Sequence, residues 1–287
     1  MEQAFITQGS EPVYPQILWN RPITRTTAGR LLLIGGHFGN FQAIQAVYSF
    51  ANSAGIGQVT TVLPDALRPV LSGFDDTFFV PASPSGSIGQ GALSEILALS
   101  HNNDAFAIGA NVSNNSETAI VLERLLTQSD KPALIYDEAL SRLAIFMPKL
   151  AQRPKTTIVV TMPELIKLGN NLSIPLNIQP ERGLLGRVEL ARTIAASWSA
   201  ALVVLGREIL IISGNEASVT PAFDNRLRQA AYGVLSTFWT QGQSFAALTT
   251  AAFVLSVSSK LLADEDSFMP QKVSRAIERA IEYNHHS

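Results

Sequence analysis

The chain has no cysteine among its 287 residues, which excludes disulfide bonds and thiolate chemistry. It also has little charge, since 15% of the residues are charged and the formal net charge is −2. A charge balance this close to neutral indicates neither nucleic acid nor an anionic membrane surface as a partner. The low charged fraction favours a surface that is partly covered by another subunit, so we expect a homo-oligomer.

Neither a membrane span nor a secretion signal is predicted. The first residues, MEQAFITQGSEP, lack the basic and apolar regions of a signal peptide. The most apolar segment, residues 246–257, is too short and too rich in Ser and Thr to cross a bilayer. We therefore expect a cytoplasmic protein without a membrane partner.

Short apolar runs alternate with amphipathic segments along the chain, which predicts an α/β fold with a mainly parallel sheet covered by helices on both faces. We expect a single domain spanning residues 1–287, with residues 1–28 as an extended, proline-containing lead-in. Strands are predicted at residues 31–34, 59–63, 78–80, 105–108, 133–136, 157–161 and 201–205, and an antiparallel pair at 208–213 and 217–220. Helices are predicted at residues 41–54, 65–71, 92–100, 115–128, 185–199, 225–240, 244–262 and 271–283, a helix or turn at 139–151, and a polar loop at 170–183.

Residues 29–43, GRLLLIGGHFGNFQA, predict a strand, a glycine turn and a helix in succession. The apolar run at residues 31–34 is typical of a buried parallel strand. Gly35 and Gly36 follow it directly, and glycine allows a sharp turn and a close approach of a ligand to the backbone. The start of the next helix would offer unpaired N–H groups to an anion. Two interpretations are open: a ligand-binding turn, or a plain strand-to-helix turn.

Residues that directly follow the predicted parallel strands are expected to meet at one site, because ligands of such sheets bind beyond the carboxyl ends of the strands. These residues are Gly35, Gly36, His37, Gly109, Asn111, Asp137, Glu138, Thr161, Glu164, Gly206 and Arg207. Asp137 and Glu138 are adjacent, so at an extended strand end they should point to opposite sides and not act as a pair. His37 would orient a ligand or simply belong to the turn, and Glu164 would face the site or cap its own helix.

The opening segment resembles a known family, the ADP- or ATP-dependent NAD(P)H-hydrate dehydratases of the ribokinase-like carbohydrate kinase superfamily. Residues 29–43 resemble that family's strand and GGSxxYxGA turn, with His37 in place of the Ser, Asn40 in place of the Tyr, and Ala43 at the final Ala. Residues 51–71, ANSAGIGQVTTVLPDALRPVL, resemble its AlraGaGlVtv helix–strand step. The resemblance covers nearly the whole chain and is strongest before residue 75.

Later segments continue the resemblance in the same order. Tyr136 and Glu138 fall on the two Asp positions of the family's PvVlDADAL motif. The matching segments are IGANVS (108–113) with a GPGLG turn, PALIYDEAL (132–140) with PvVlDADAL, VTMPELIKL (160–168) with TPHPGEfarL, VVLGREILI (203–211) with VVLKGxxTvI, and the helix from residue 246 with AAxlavxlHgxAG.

One motif of that family has no clear match. Residues 224–242, DNRLRQAAYGVLSTFWTQG, stand where the family has G(S/T)GDvLtG, a glycine anion hole whose Asp serves the chemistry. One alignment puts Gly233 at the Asp position and another puts Gln229 there, and neither restores a glycine turn. Leu205 stands at the position of the family's Lys. Since a phosphate site needs free backbone N–H groups and positive charge, the catalytic Asp and the anion hole are expected to be lost.

The resemblance implies a ribokinase-like three-layer αβα domain that transfers a phosphoryl group from ADP or ATP, with Mg²⁺, to the hydroxyl of hydrated NAD(P)H, followed by elimination. The alternative is a non-catalytic relative that binds a nucleotide-like small molecule or acts as an assembling subunit. Glu138 and Asp224 are the catalytic candidates, and no metal-binding cluster is expected from the spacing of acidic and His residues. The expected substrate-binding residues are Gly35, Gly36, His37, Ala43, Gly109, Asn111 and Glu138, and the expected nucleotide-binding residues are Gly206, Arg207, Glu208 and Gly233.

Overall fold

The computed structural model describes residues 5–71, 76–175, 183–262 and 269–282. Within these ranges, ten strands form one sheet. The strands are β1 (Ile6–Thr7), β2 (Arg30–Ile34), β3 (Gln58–Pro64), β4 (Thr77–Val80), β5 (Ala105–Ile108), β6 (Ala133–Tyr136), β7 (Thr156–Thr161), β8 (Ala201–Leu205), β9 (Glu208–Ser213) and β10 (Glu216–Pro221). Their order across the sheet is β1-β10-β9-β8-β7-β6-β5-β2-β3-β4.

The described helices cover both faces of this sheet, as the alternating pattern predicts. They are α1 (Pro15–Trp19), α2 (Gln42–Ser53), α3 (Leu93–His101), α4 (Ser116–Gln128), α5 (Glu138–Arg142), α6 (Met147–Gln152), α7 (Met162–Asn171), α8 (Gly183–Ala195), α9 (Arg228–Gly242), α10 (Phe245–Leu262) and α11 (Gln271–Glu282).

The central strands run parallel and end level with one another. Ile34 of β2 lies beside Val62 of β3 and Ile108 of β5, and Ile108 lies beside Ile135 of β6. The predicted antiparallel pair is confirmed, because β9 runs antiparallel to both β8 and β10. The residues that follow β2, β5, β6, β7 and β8 therefore meet along one edge of the sheet.

Strand β2 explains why four apolar residues follow one another at the start of the fold. Side chains alternate between the two faces of a strand, and both faces of this sheet are buried. Leu31 and Leu33 belong to the apolar core on one face, which also contains residues of α2, α9 and α10. Leu32 and Ile34 belong to the core on the other face, which also contains residues of α4, α6 and α8. Because both faces of the strand are buried at residues 31–34, all four of these positions are apolar.

The lead-in is not wholly extended, so that part of the prediction is wrong. Pro15–Trp19 form α1, and Pro15 suits a helix start because its fixed φ and missing N–H cost nothing there. Ile6–Thr7 extend the sheet by pairing with β10. The buried Gln8 side chain donates to Thr220 Oγ1 at 2.6 Å and to Thr249 O at 2.7 Å, which anchors this segment to β10 and α10.

Several predicted helices differ from the observed ones in extent. The segment after β3 is only a 3₁₀ turn, Asp65–Leu67, and the segment after β6 is divided into α5 and α6. Helix α7 continues into the predicted polar loop as far as Asn171, while residues 176–182 lie outside the described ranges. The most apolar segment is the 18-residue α10, which is long enough to cross a bilayer but is 78% buried inside this fold.

Candidate functional site

The glycine turn after β2 is packed tightly against the turn after β5. A Cβ on Gly35 would lie 2.3 Å from Ala110 O, and one on Gly36 would lie 2.8 Å from a Leu63 methyl group. Gly36 also has a φ of 73° and donates its N–H to Ala110 O at 3.0 Å. Packing against Ala110 and Leu63 therefore accounts for both glycines, whether or not a ligand lies nearby.

His37 belongs to a tight turn with Asn40. Their backbones exchange two hydrogen bonds of 3.0 Å, and His37 Nδ1 lies 2.8 Å from Phe38 O. The neighbouring Phe38 ring is 60% exposed. These contacts agree with the interpretation of His37 as a turn residue. That His37 also binds a ligand stays a prediction.

Asn111 connects three of the predicted substrate-binding positions. Its side-chain Oδ1 accepts the N–H of Ala43 at 2.9 Å, and its own N–H donates to Glu138 Oε2 at 3.2 Å. Its φ is 58°, a left-handed conformation that Asn tolerates better than most residues. The first turn of α2 was expected to offer free N–H groups to an anion, but Asn111 already accepts the one from Ala43.

Gly109, another predicted substrate-binding residue, lies against the buried ring of Tyr136. A Cβ at this position would lie 2.4 Å from the ring and 2.5 Å from Tyr136 O. Tyr136 in turn stacks on Tyr232 of α9, with ring centroids 4.1 Å apart and planes inclined by 28°. Burial raises the pKa of both phenols. Tyr136, which falls on a family Asp position, is therefore a core residue.

Asp137 and Glu138 face the same cleft, and the expectation that they point apart is wrong. That expectation assumed an extended backbone, but Asp137 has φ 55° and ψ −133°, so the chain turns sharply after β6. Burial and the neighbouring Glu138 carboxylate raise the pKa of Asp137 to about 6, with Glu164 adding to the effect and Arg228 opposing it. A carboxyl group with this pKa can hold or release a proton near neutral pH.

The cleft beside Asp137 has a volume of about 280 Å³ and lies between α5, α6 and α7. Its polar lining includes the side chains of Asp137, Glu138, Glu164 and Lys167. Its apolar lining includes Leu140, Ala144, Met147, Val160 and Leu168. This combination of an apolar wall and a few convergent charged groups is typical of a small-molecule site.

Glu164 has a structural role at this cleft. Its Oε2 accepts the N–H of Thr161 at 2.7 Å and the hydroxyl of Thr161 at 2.8 Å, which closes a capping box at the start of α7. The interpretation of Glu164 as a helix cap is confirmed. Its carboxylate also remains close enough to Asp137 to raise the pKa of that group.

Three of the four predicted nucleotide-binding residues share a second cavity. Gly206, Arg207 and Glu208 line a space of about 260 Å³ together with Arg187 and Asn225. Arg187 Nε forms an ion pair of 2.5 Å with Glu208 Oε1, so the acidic group in this cavity already has a partner. Gly206 N donates to Glu208 O at 3.0 Å, which closes the turn between β8 and β9.

Gly233, the fourth of these residues, lies in the contact between α9 and α2. A Cβ there would lie 2.7 Å from Phe50 Cβ and 2.9 Å from Val47 O. Only a residue without a side chain allows the two helices to approach this closely. Helix packing thus accounts for Gly233, and its role towards a nucleotide stays a prediction.

The start of α9 is closed by a carboxylate. Asp224 Oδ1 accepts the N–H of Arg226 at 2.8 Å, and Asp224 Oδ2 pairs with Arg226 Nη2 at 2.7 Å. These bonds to Arg226 lower the pKa of Asp224. The N–H groups of Leu227 and Arg228 donate to the carbonyls of Asp224 and Asn225, which form a 3₁₀ turn ahead of the helix.

This arrangement does not fit a bound nucleotide phosphate of the kind that the resemblance implies. An anion site at a helix start needs backbone N–H groups free to converge on it. Here those of Arg226, Leu227 and Arg228 are used internally, and a carboxylate lies at the same place. Among the described residues, no group of three or more Asp, Glu or His side chains is arranged to hold a metal ion.

Sequence reasoning did not single out Arg228 and Tyr232, which belong to the same cluster as Asp137. The charges of Asp137 and Arg228 interact, and both act on the Tyr232 phenol. Arg228 and Tyr232 both belong to α9, more than ninety positions after Asp137 in the chain. Their signal in the sequence was position: one of the two alignments with the family's G(S/T)GDvLtG motif places Arg228 at its glycines, and the other places Tyr232 there.

Comparison with known proteins agrees with this fold. No family model matches the chain. The chain is 28% identical over 187 residues to the bifunctional NAD(P)H-hydrate repair enzyme Nnr of Moorella thermoacetica, an alignment that covers 64% of this chain and 34% of that protein. The chain therefore spans about a third of the length of this curated relative.

Solved structures share the architecture over almost the whole chain. A ribokinase-like superfamily protein from Enterococcus faecalis V583 superposes with a TM-score of 0.72 at 15% identity, covering 99% of this chain and 97% of that one. The ADP/ATP-dependent NAD(P)H-hydrate dehydratase of Bacillus subtilis, crystallised with ATP and Mg²⁺, gives 0.65 at 16% identity and covers 95% and 98%. The chain thus has the ribokinase-like fold, and its resemblance to the NAD(P)H-hydrate dehydratases is confirmed.

Proposed function

We propose that the chain is a divergent relative of the NAD(P)H-hydrate dehydratases that has lost nucleotide-dependent phosphoryl transfer and binds a small molecule at the carboxyl ends of its strands. The observation that carries this proposal is the closed start of α9. Asp224 caps the turn there and pairs with Arg226. The relative from Bacillus subtilis was crystallised with ATP and Mg²⁺, whereas a phosphate group at this turn would meet a carboxylate.

The electrostatics of the remaining cleft support the same proposal. Three carboxylates, those of Asp137, Glu138 and Glu164, line it with the single cation Lys167. Such a lining opposes a polyphosphate, because like charges at short range repel strongly in a partly buried site. It suits a ligand that offers hydrogen-bond donors or positive charge, with an apolar part against Met147.

The direct test is an assay of ADP and ATP consumption with hydrated NADH and NADPH, in the presence of Mg²⁺. We expect no consumption above background. Thermal-shift titrations with ADP, ATP, AMP and NAD(P)H, each with and without Mg²⁺, should likewise leave the melting temperature unchanged, because only a ligand that binds the native state raises it. Consumption that purifies with the protein would overturn the proposal.

If turnover were found, two substitutions would locate it. Glu138→Gln and Asp224→Asn remove the carboxylates that are the catalytic candidates, and loss of turnover in one of them would identify the group concerned. Glu189→Gln, an exposed position on α8, is the matched control and should not change the rate. Screening small amines and neutral polar molecules by thermal shift would then separate a ligand-binding protein from a purely assembling subunit, which no such molecule should stabilise.

A further inference from the structure

A third cavity lies at the opposite end of the sheet from the cleft beside Asp137. It has a volume of about 150 Å³ and is enclosed by α1, the last turn of α9 and the start of α10. Gln241, one of its lining residues, donates to Ala28 O at 3.1 Å and to Gly55 O at 3.0 Å. Ala28 precedes β2 and Gly55 follows α2, which places the cavity at the amino ends of the strands.

Arg21 is the only charged residue that lines this cavity. Its guanidinium lies over the Phe238 ring, 4.7 Å from the ring centroid, and donates to Ala54 O. Burial lowers the pKa of Arg21 to about 10. No carboxylate in the described ranges lies within ion-pair distance of it. Arg21 is half-buried, and a cation partly withdrawn from water without a counter-ion is costly unless another group compensates it.

The simplest explanation of Arg21 is that it caps α2. Ala54 is the C-cap residue of that helix, and a cation at a helix C-terminus is favourable. The bond to Ala54 O, however, engages one nitrogen of a group that has five N–H donors. It also does not explain why amide side chains and apolar side chains from three helices enclose a space beside the guanidinium.

We infer that this cavity binds a compact oxyanion, a carboxylate or a phosphate group, with Arg21 as its counter-ion. The planar guanidinium matches the geometry of both groups. Gln16 and Asn20 on the rim carry amides that can donate to the remaining oxygen atoms. Ile17 and Ala247 provide an apolar wall for a short aliphatic body. This site is independent of the function proposed for the cleft beside Asp137.

The test is a titration of the intact protein with sodium phosphate and, separately, sodium butyrate, against sodium chloride at constant ionic strength. We expect a saturable rise in melting temperature with at least one of the two anions. A stronger effect of butyrate would identify a carboxylate with an apolar body, and a stronger effect of phosphate would identify a phosphate group. The absence of a saturable rise with both would overturn the inference.

Substitutions assign the effect to this cavity. Arg21→Met keeps the length of the side chain and removes its charge, so the rise should disappear, whereas Arg25→Met at an exposed position should keep it. An equal rise in Arg21→Met would contradict the inference. If Arg21→Met fails to fold, Asn20→Leu leaves the cation in place and should weaken binding about tenfold through loss of a hydrogen bond to a charged group. Unchanged affinity in Asn20→Leu would then count against the site.

Discussion

The turn after β2 and the start of α9 differ in whether they contain glycine. The family motifs that the chain resembles carry glycines at both places, but only the turn after β2 keeps them here. Gly35 and Gly36 pack against Ala110 and Leu63 of the protein itself. At the start of α9, Arg226 and Asp224 form a capped turn instead. The first place thus keeps glycines that packing requires, whereas the second has a capped turn without glycine.

The largest effect is expected for the substitution that tests whether packing requires glycine in the turn after β2. Gly35→Ala places a Cβ 2.3 Å from the backbone oxygen of Ala110, and we expect it to lower the free energy of unfolding by about 3 kcal/mol. Gly206→Ala is the control, because the nearest atom would be 3.6 Å away and the expected change is within about 0.5 kcal/mol. Urea denaturation measures both. Equal stability of the two variants would show that the turn relaxes and that packing does not require Gly35.

Substitutions of Asn111 test the hydrogen bond that joins the turn after β5 to the start of α2. Asn111→Ala removes the cap on the Ala43 N–H and leaves a residue with a Cβ at φ 58°, so we expect a loss of about 2 kcal/mol. Asn111→Gly removes the same cap but tolerates the positive φ, and it should lose about 1 kcal/mol. The difference between the two in urea denaturation measures the backbone cost alone. If both variants lose the same amount, the conformation of residue 111 carries no strain.

The pH dependence of stability tests the electrostatics of the cleft beside Asp137. Its pKa is raised from 3.8 to about 6 in the folded protein, so the folded state binds a proton more tightly than the unfolded state does. The free energy of unfolding should therefore fall on this account as pH rises from about 4 to about 6. Asp137→Asn removes the charge, keeps a residue that accepts positive φ, and should stabilise the protein at pH 7 by about 1–2 kcal/mol, after allowance for solvent screening.

Denaturation curves at pH 4, 5, 6 and 7 measure this difference, with Asn substituted for the exposed Asp130 as the control. We expect the curves of the Asp137→Asn protein to depend less on pH than those of the unsubstituted protein. If Asp137→Asn lowers stability at pH 7, the carboxylate is compensated by Arg228 or Lys167 more fully than its raised pKa indicates.

The smallest expected effect concerns the start of α9. Asp224→Ala removes a cap and an exposed ion pair with Arg226, and we expect a loss of about 1 kcal/mol at pH 7. Because these bonds lower the pKa of Asp224, the contribution should vanish as pH falls below the ordinary range of an Asp carboxyl group. Arg226→Ala is the companion variant and keeps the cap. A stability unaffected by Asp224→Ala would mean that the turn holds without its carboxylate.

The regular elements could largely be predicted from local sequence. Strands at 105–108, 133–136 and 201–205 were predicted with the bounds that the structure has, because each is a short apolar run followed by a Gly or polar residue. Helix α4 begins after Asn115, whose Oδ1 accepts the Glu117 N–H at 2.7 Å as an N-cap should. The helix in the lead-in was missed, since it is held mainly by contacts with α10 and α11.

The candidate site was predictable only in part. The sequence placed Glu138 and Asn111 near each other through the rule that strand ends converge, and their 3.2 Å contact agrees. The grouping of Asp137 with Glu138 could not be foreseen, because it depends on the sign of one backbone angle. The approach of Arg228 and Tyr232 depends on how α9 packs across the sheet, which no local pattern encodes.

The sequence by itself determined the alternation of strands and helices, the double burial of β2 and the absence of glycine from residues 224–232, because these depend on neighbouring residues and their periodicity. Only the tertiary structure decided that Gly233 lies in the close contact of two helices, that the pKa of the Asp137 carboxyl is raised, and that Arg21 lines a cavity with no carboxylate among the described residues in ion-pair reach. The reason is physical: a pKa, a close contact and a buried charge depend on burial and on groups brought together from distant parts of the chain.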